Sequence, residues 1–209
     1  MHRRTFATGL LAWTLAPPIQ ALAAPAPRPS ADVQSLLQWV RSSADNARAP
    51  FMIIDKRQAR VWVFDAQGTL RGSSAVLLGL ARGDASAPGI GTRPLSQVRT
   101  NERTTPAGRF VVEPGRNLGQ EDVLWIDYDA AVSMHRVRAT NPSERRLQRL
   151  ASPSPADNRI SYGCINVPAA FFDQVILPGF AEPGGVAYVL PEVRPLRAVF
   201  PRMRAAAAR

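Results

Sequence analysis

The apolar positions of the chain keep two periods. Near the start of the chain, after a Pro and Ala linker, they fall at Val33, Leu36, Leu37 and Val40, the spacing of one helix face, with Ser30 or Asp32 placed to cap its start. Beyond residue 50 the period shortens to two. Residues 51–55 and 60–65 read as strands, the second with Val61 and Val63 alternating against Trp62 and Phe64. Gln67-Gly68 then turns the chain toward a third strand at 74–78, which predicts an antiparallel meander. From 79 to 105 no period is sustained, a connection longer than most in compact domains. Gly89-Ile90-Gly91 within it lacks the third glycine, the helix and the lysine of a phosphate loop, and reads as a turn. Strands resume at 109–113, 123–128 and 132–135, the last two joined by Asp129-Ala130-Ala131. A proline-started helix at 168–175 and a strand at 186–190 follow.

The period of two also assigns faces. Val132 and Met134 should point into a core while Ser133 and His135 point toward a cleft. Asp127 and Asp129 sit two apart but flank a turn, which fits a solvated or structural role better than paired catalytic carboxylates. The polar stretch 141–155, with Glu144, Arg145, Arg146 and Arg149 on one helical turn, reads as wet surface, and the tail from 194 to 209 as frayed.

Composition narrows the class. In 209 residues there are 19 Pro and 14 Gly, with 45% hydrophobic and 20% charged positions, which suits one compact loop-rich domain and excludes a coiled coil. The formal charge of +10 is almost wholly arginine, since Lys56 is the only lysine, and the arginines are scattered. A nucleic-acid partner is therefore not expected, and an acidic substrate or anionic polymer is. His2-Arg3-Arg4, a short apolar run and Ala21-Leu22-Ala23 read as an export signal over 1–23, with Arg3-Arg4-Thr5-Phe6 resembling a twin-arginine signal. Residues 24–50 are then a linker and short helix, 51–191 the main domain and 192–209 an Arg and Ala tail. The expected mature chain is a soluble periplasmic monomer with no integral membrane segment, and its leading residues are too few for a separate wall-binding module.

Chemistry is concentrated in two residues. Exported proteins pair their cysteines, yet Cys164 is alone, and once the leader is gone His135 is the only histidine. Such a pair, if it meets in space, is a thiol with its base. One His and one Cys build neither a zinc site nor a haem attachment, so no metal and no cofactor is expected.

Ser161-Tyr162-Gly163-Cys164-Ile165-Asn166, with His135 at the end of a strand and Thr105-Pro106-Ala107-Gly108 before another, resembles the L,D-transpeptidase catalytic domain of the YkuD type. The resemblance runs from Phe51 to Leu190. It departs at Tyr162, where most members carry a second His, and in the segment 136–158, which is longer than usual and suggests an enlarged wall or lid over the cleft. It implies a mainly β, sandwich-like fold of mixed sheets with a few short helices. The implied activity is cross-linking of peptidoglycan stem peptides through a Cys thioester.

In that scheme Cys164 is the nucleophile and His135 its base, oriented by the Arg136 main chain or by Ser161. Backbone N–H groups around Tyr162, Gly163 and Cys164 hold the oxyanion, with the Tyr162 hydroxyl as a further donor. On the substrate side stand Arg136, Arg138 and Arg159, which can grip carboxylates, and Asn166, expected mainly to pin the Cys loop. Trp125 and Tyr128 either line the cleft or sit in the core. Two other readings stay open: an L,D-carboxypeptidase or wall-link hydrolase on the same fold, and a non-catalytic wall-binding or redox-sensing protein using Cys164.

Overall fold

A computed structural model describes residues 28–203. The export-signal reading of 1–23 and the last six residues lie outside the described part.

Ser30 caps the first helix, α1 (Ala31–Ser43), by accepting the Val33 N–H, and its hydroxyl donates to Asp55 at 2.6 Å, which ties the helix start to the sheet. Eight strands form one mixed sheet: β1 (Phe51–Asp55), β2 (Arg60–Phe64), β3 (Leu70–Ala75), β5 (Gly108–Arg116), β6 (Asp122–Asp127), β7 (Val132–Arg136), β9 (Ile165–Val167) and β10 (Gly185–Val189), in the order β3-β2-β1-β10-β5-β6-β7-β9. Within the sheet β1/β10 and β7/β9 are parallel and the other pairs antiparallel. Two short strands, β4 (Leu78–Gly79) and β8 (Arg159–Ser161), pair in parallel separately. Leu77, just after edge strand β3, exchanges both backbone hydrogen bonds with Asn166 of the opposite edge strand β9. That exchange curls the sheet nearly closed, so the mainly β, mixed, sandwich-like expectation takes the form of a barrel-like sheet.

The curl divides the apolar residues in two. Its inner face holds Met52, Ile54, Val61, Val63, Leu124, Met134, Ile165 and Val189, plugged by Phe172, Ile176 and Phe180. Phe172 and Ile176 come from one helical run, α3 (Ala169–Phe171), a π-helical turn (Phe172–Ile176) and α4 (Leu177–Gly179), and Phe180 immediately follows it. The run outlasts the expected end at 175; Pro178, with no N–H to give, sits just past the π turn, where the ladder has already widened. On the outer face of β2-β1-β10 lies a second cluster with Trp62, Phe64, Phe51 and Tyr188, covered by α1 and by Phe200. Val61 and Val63 thus face one core and Trp62 and Phe64 the other, as their alternation requires.

Two boundaries shift. The third strand starts at Leu70 and stops at Ala75, and Leu78 leaves to join β8. The stretch after 194 does not fray at once: α5 (Leu196–Val199) brings Leu196, Val199, Phe200 and Met203 onto the second cluster, an apolar spacing hidden among arginines.

Candidate functional site

The open face of β5-β6-β7-β9 carries the site. Pairing sets Glu113 opposite Trp125 and Trp125 opposite Ser133, with His135 opposite Asn166 and Cys164 immediately before β9. Directly opposed residues share a face, so Ser133, His135, Asn166 and Trp125 stand on the side away from the inner core, while Val132 and Met134 fill it. The alternation read from the sequence therefore places His135 on the cysteine's face.

Cys164 is part-buried. Its Sγ lies 3.7 Å from the Ala131 carbonyl and 3.8 Å from Ser133 Oγ. Burial alone would push the thiol up; the His135 imidazole beside it and the Ser133 backbone N–H outweigh that and bring it below the ordinary thiol range. His135 Nδ1 is 2.8 Å from the Arg136 carbonyl, which can only accept, so Nδ1 carries a proton. Nε2 in turn lies 3.0 Å from Asn166 Nδ2. Of the two expected orienters, the Arg136 main chain is the one in place. Ser161 serves the loop instead: its hydroxyl accepts the Gly163 N–H at 3.1 Å and donates to the Cys164 carbonyl at 2.6 Å.

Gly163 has φ +137°, and a Cβ there would meet the Thr104 carbonyl at 2.8 Å, so a side chain is excluded both by strain and by backbone. Its carbonyl accepts from Thr105 Oγ1 at 2.8 Å, while Thr105 Oγ1 itself accepts the Gly79 N–H at 2.9 Å. The Thr-Pro turn is thus the clamp on the cysteine loop. Behind it, Lys56 is fully buried and donates to the Thr105 carbonyl at 2.8 Å, to Gly83 and to Asp84.

Arg159 proves to belong to this buried group rather than to a substrate surface. It pairs with Glu192 and donates to the Lys56 carbonyl at 2.9 Å, with its side chain 9% exposed. Burial lowers Lys56 below the usual lysine range, against the pull of Asp84. Burial would raise Asp84, but the backbone N–H groups of Arg194 and Glu192 and the Lys56 ammonium bring it to about 2. Sequence reading had no signal for this quartet beyond the singularity of Lys56.

The remaining arginines are also engaged. Arg136 pairs with Asp173 at 2.6 Å and lies over the Phe172 ring, and Arg138 pairs with Glu121. Asn166, placed on the substrate side by sequence, is completely buried, and Arg146 donates to its Oδ1 at 2.7 Å. Arg146, read as wet surface, is a site neighbour that sequence reasoning missed. Tyr162 packs its ring under the Arg103 guanidinium, 4.0 Å away.

Trp125 is half-exposed and lies across Gly115, where a Cβ would come within 2.8 Å of the indole. Tyr128, 76% exposed, meets it edge-on at 5.0 Å, so the aromatic pair lies on the open side of the sheet beside Ser133. Asp127 accepts the Ala130 N–H and is a turn residue. Among the described residues no group of three or more His, Cys, Asp and Glu could hold a metal, and no helix is long and apolar enough to cross a membrane.

No family model matches the chain, and no curated protein does. Among solved structures it is similar to the catalytic domain of an L,D-transpeptidase from E. faecium, at 17% identity over 68% of this chain and 98% of that one, with TM-score 0.42. It is also similar to the helical cell shape determining protein from Campylobacter jejuni, at 12% identity over 79% of this chain and 58% of that one, with TM-score 0.43. An L,D-transpeptidase from Mycobacterium smegmatis matches at 15% identity over 67% and 58% of the two chains, with TM-score 0.37. The chain spans 49% of the length of a further match, an avibactam carbamoyl enzyme.

Proposed function

We propose that the chain is an exported cysteine acyltransferase that cross-links peptidoglycan stem peptides, an L,D-transpeptidase. The observation that carries the reading is the shared sheet face of Cys164 and His135, with the thiol lowered by the imidazole and the adjacent backbone N–H despite burial. The substrate class comes from the sequence motif, Ser161 to Asn166 with the upstream Thr-Pro turn.

His135 Nε2 takes the Sγ proton and the thiolate attacks the amide carbonyl between the L-centre of a diamino acid and the following D-residue. The Gly163 N–H is engaged by Ser161. The amides of Tyr162 and Cys164 are therefore the donors assigned to the oxyanion. As the C–N bond breaks, the proton on Nε2 passes to the departing amine and a thioester remains on Sγ. A side-chain amine from a second stem then attacks, the C–S bond breaks, and the proton it loses returns through His135 to the thiolate. Trp125 and Tyr128 flank the trough along which the stems lie, and the exposed arginines supply the field that draws in their carboxylates.

Incubating the protein with disaccharide-tetrapeptide and weighing the products tests this. A cross-linked dimer supports the reading. Loss of the terminal D-residue alone makes the enzyme a carboxypeptidase, and no change with an unmodified Cys164 favours the non-catalytic reading. Cys164→Ala should abolish both products and any adduct with a carbapenem β-lactam.

A further inference from the structure

A donor and acceptor count along the hydrogen-bond chain beneath the histidine fixes the direction of every bond in it. At one end Arg146 Nη1 stands 2.7 Å from Asn166 Oδ1, and a guanidinium can only donate. The carboxamide is therefore held with its oxygen toward Arg146 and its Nδ2 toward His135 Nε2, 3.0 Å away. At the other end the Arg136 carbonyl, 2.8 Å from Nδ1, can only accept. The two ends agree on a single state of the ring: proton on Nδ1, lone pair on Nε2, net charge zero.

In the resting geometry the hydrogen bond on Nε2 comes from Asn166, while the thiol's partners at hydrogen-bonding distance are Ser133 and Ala131. Putting a proton on Nε2 sets N–H against N–H. Turning the amide over to relieve this sets its Nδ2 against the donor-only Arg146. Each arrangement that stabilises an imidazolium leaves a buried donor facing another donor, which is costly where Asn166 has no water to turn to.

We propose that Arg146 is a positioning residue that acts through Asn166 to hold His135 as the neutral, Nδ1-protonated tautomer, so that the free enzyme rests as thiol and imidazole and not as thiolate and imidazolium. The proposal rests on Cys164 and His135 being nucleophile and base. It gives the segment between them a task, since Arg146 begins α2 (Arg146–Ala151) inside that segment and is anchored there by Glu144. Two consequences follow chemically. A lone cysteine in an oxidising space is kept mainly as the less reactive thiol until substrate arrives. A proton taken onto Nε2 faces the Asn166 amide donor, which favours passing that proton on to the departing amine.

The charges around the ring are Cys164 beside it, Arg146 with Glu144, and Arg136, whose guanidinium is paired with Asp173. Arg146→Met removes the donor that fixes the amide and leaves these others in place. Asn166 can then offer Oδ1 to Nε2–H, and the thiolate-imidazolium pair gains population. The expected result is alkylation of Cys164 by iodoacetamide at mildly acidic pH that is roughly three- to tenfold faster than wild type, the equivalent of one net hydrogen bond, with the acid limb of the rate profile displaced to lower pH. Arg146→Lys, which keeps a donor-only cation, should restore the wild-type profile. A Met variant whose profile superimposes on wild type, or a Lys variant displaced as far as Met, overturns the proposal.

A second measurement needs no change at Arg146. In the full chain carrying His2→Gln, His135 is the only imidazole. Its ring-nitrogen NMR shifts at neutral pH should report the Nδ1–H tautomer, and an Nε2–H tautomer or an imidazolium refutes the assignment. Neither readout uses a stem peptide, so failure of the cross-linking assay and failure of this proposal are separately visible.

Discussion

The two ends of the one sheet are built differently. In β1 and β10 every residue is buried, and in β2 only Arg60 is not, because the barrel core lies on one side and α1 with Phe200 on the other. In β5, β6 and β7 the inward residues are apolar, whereas the other side shows exposed Val111 and Glu113, half-exposed Trp125 and His135. A sheet covered on both faces has only packing to satisfy. A sheet covered on one face can hold an imidazole and an aromatic ring at fixed pleat spacing with solvent above them, and here that is where His135 and Trp125 sit.

A pair of tryptophans measures the difference most sharply. Trp62 is 3% exposed on β2 under the helices, and Trp125 is half-exposed on β6. Trp62→Ala should lower unfolding stability by about 3–5 kcal/mol, the usual loss for a large buried ring. Trp125→Ala should lower it by about 1 kcal/mol or less while reducing turnover on stem peptides. Denaturant titration of both variants reads this, and equal losses would erase the distinction between the covered and open ends.

Charge sharpens the same contrast. Lys56, Asp84, Arg159 and Glu192 are packed where the ends of the sheet meet the cysteine loop, with side chains at most 9% exposed. Asp84→Asn leaves Lys56 buried with half its compensation and should cost about 3 kcal/mol. Arg138→Ala, at a pair with both partners about half-exposed on the open end, should cost about 0.5 kcal/mol or less in the same titration.

The quartet also sets an acid limit. Asp84 sits at about 2 in the folded protein. Its unfolded value is near 3.9, so its contribution is complete above that pH and is lost as pH falls toward 2. About 2 kcal/mol of stability should disappear across that window. Asp84→Asn should flatten this part of the stability-pH curve, and a curve unchanged by the substitution would place the acid-sensitive carboxylate elsewhere.

What the sequence disclosed follows the same division. Alternation alone put Val132 and Met134 inside and Ser133 and His135 on the opposite face, because a strand open on one face must write its polarity at every second residue. The capped helix and the first two strands of the meander were also legible from local spacing, the third strand only at its end, and the Thr-Pro turn through the family resemblance. The quartet was not, since Lys56 and Glu192 meet only through the parallel β1/β10 pairing and nothing local marks either residue. Arg146 read as wet surface and Arg159 as a grip for substrate carboxylates for the same reason: their partners, Asn166 and Glu192, are distant in the chain. Ser161 stood beside the Arg136 main chain as an alternative orienter of the histidine because a motif records which residues occur together, not which way a hydroxyl turns.

The smallest expected effect falls where the sequence departs from its motif. Tyr162 was read as a neutral donor to the oxyanion, yet the contact in the structure belongs to its ring, which lies under Arg103 with the guanidinium 4.0 Å from the centroid. Tyr162→Phe keeps that stack and removes only the hydroxyl, so acylation of Cys164 by a carbapenem should stay within about twofold of wild type. Tyr162→Leu, which removes the aromatic face, should slow acylation further by loosening the loop that carries Gly163 and Cys164. The two outcomes separate support of the loop from donation to the transition state. Loss of an oxyanion donor costs on the order of 100-fold, about 3 kcal/mol, so a drop of that size in the Phe variant would return the hydroxyl to the oxyanion and leave the Arg103 stack incidental.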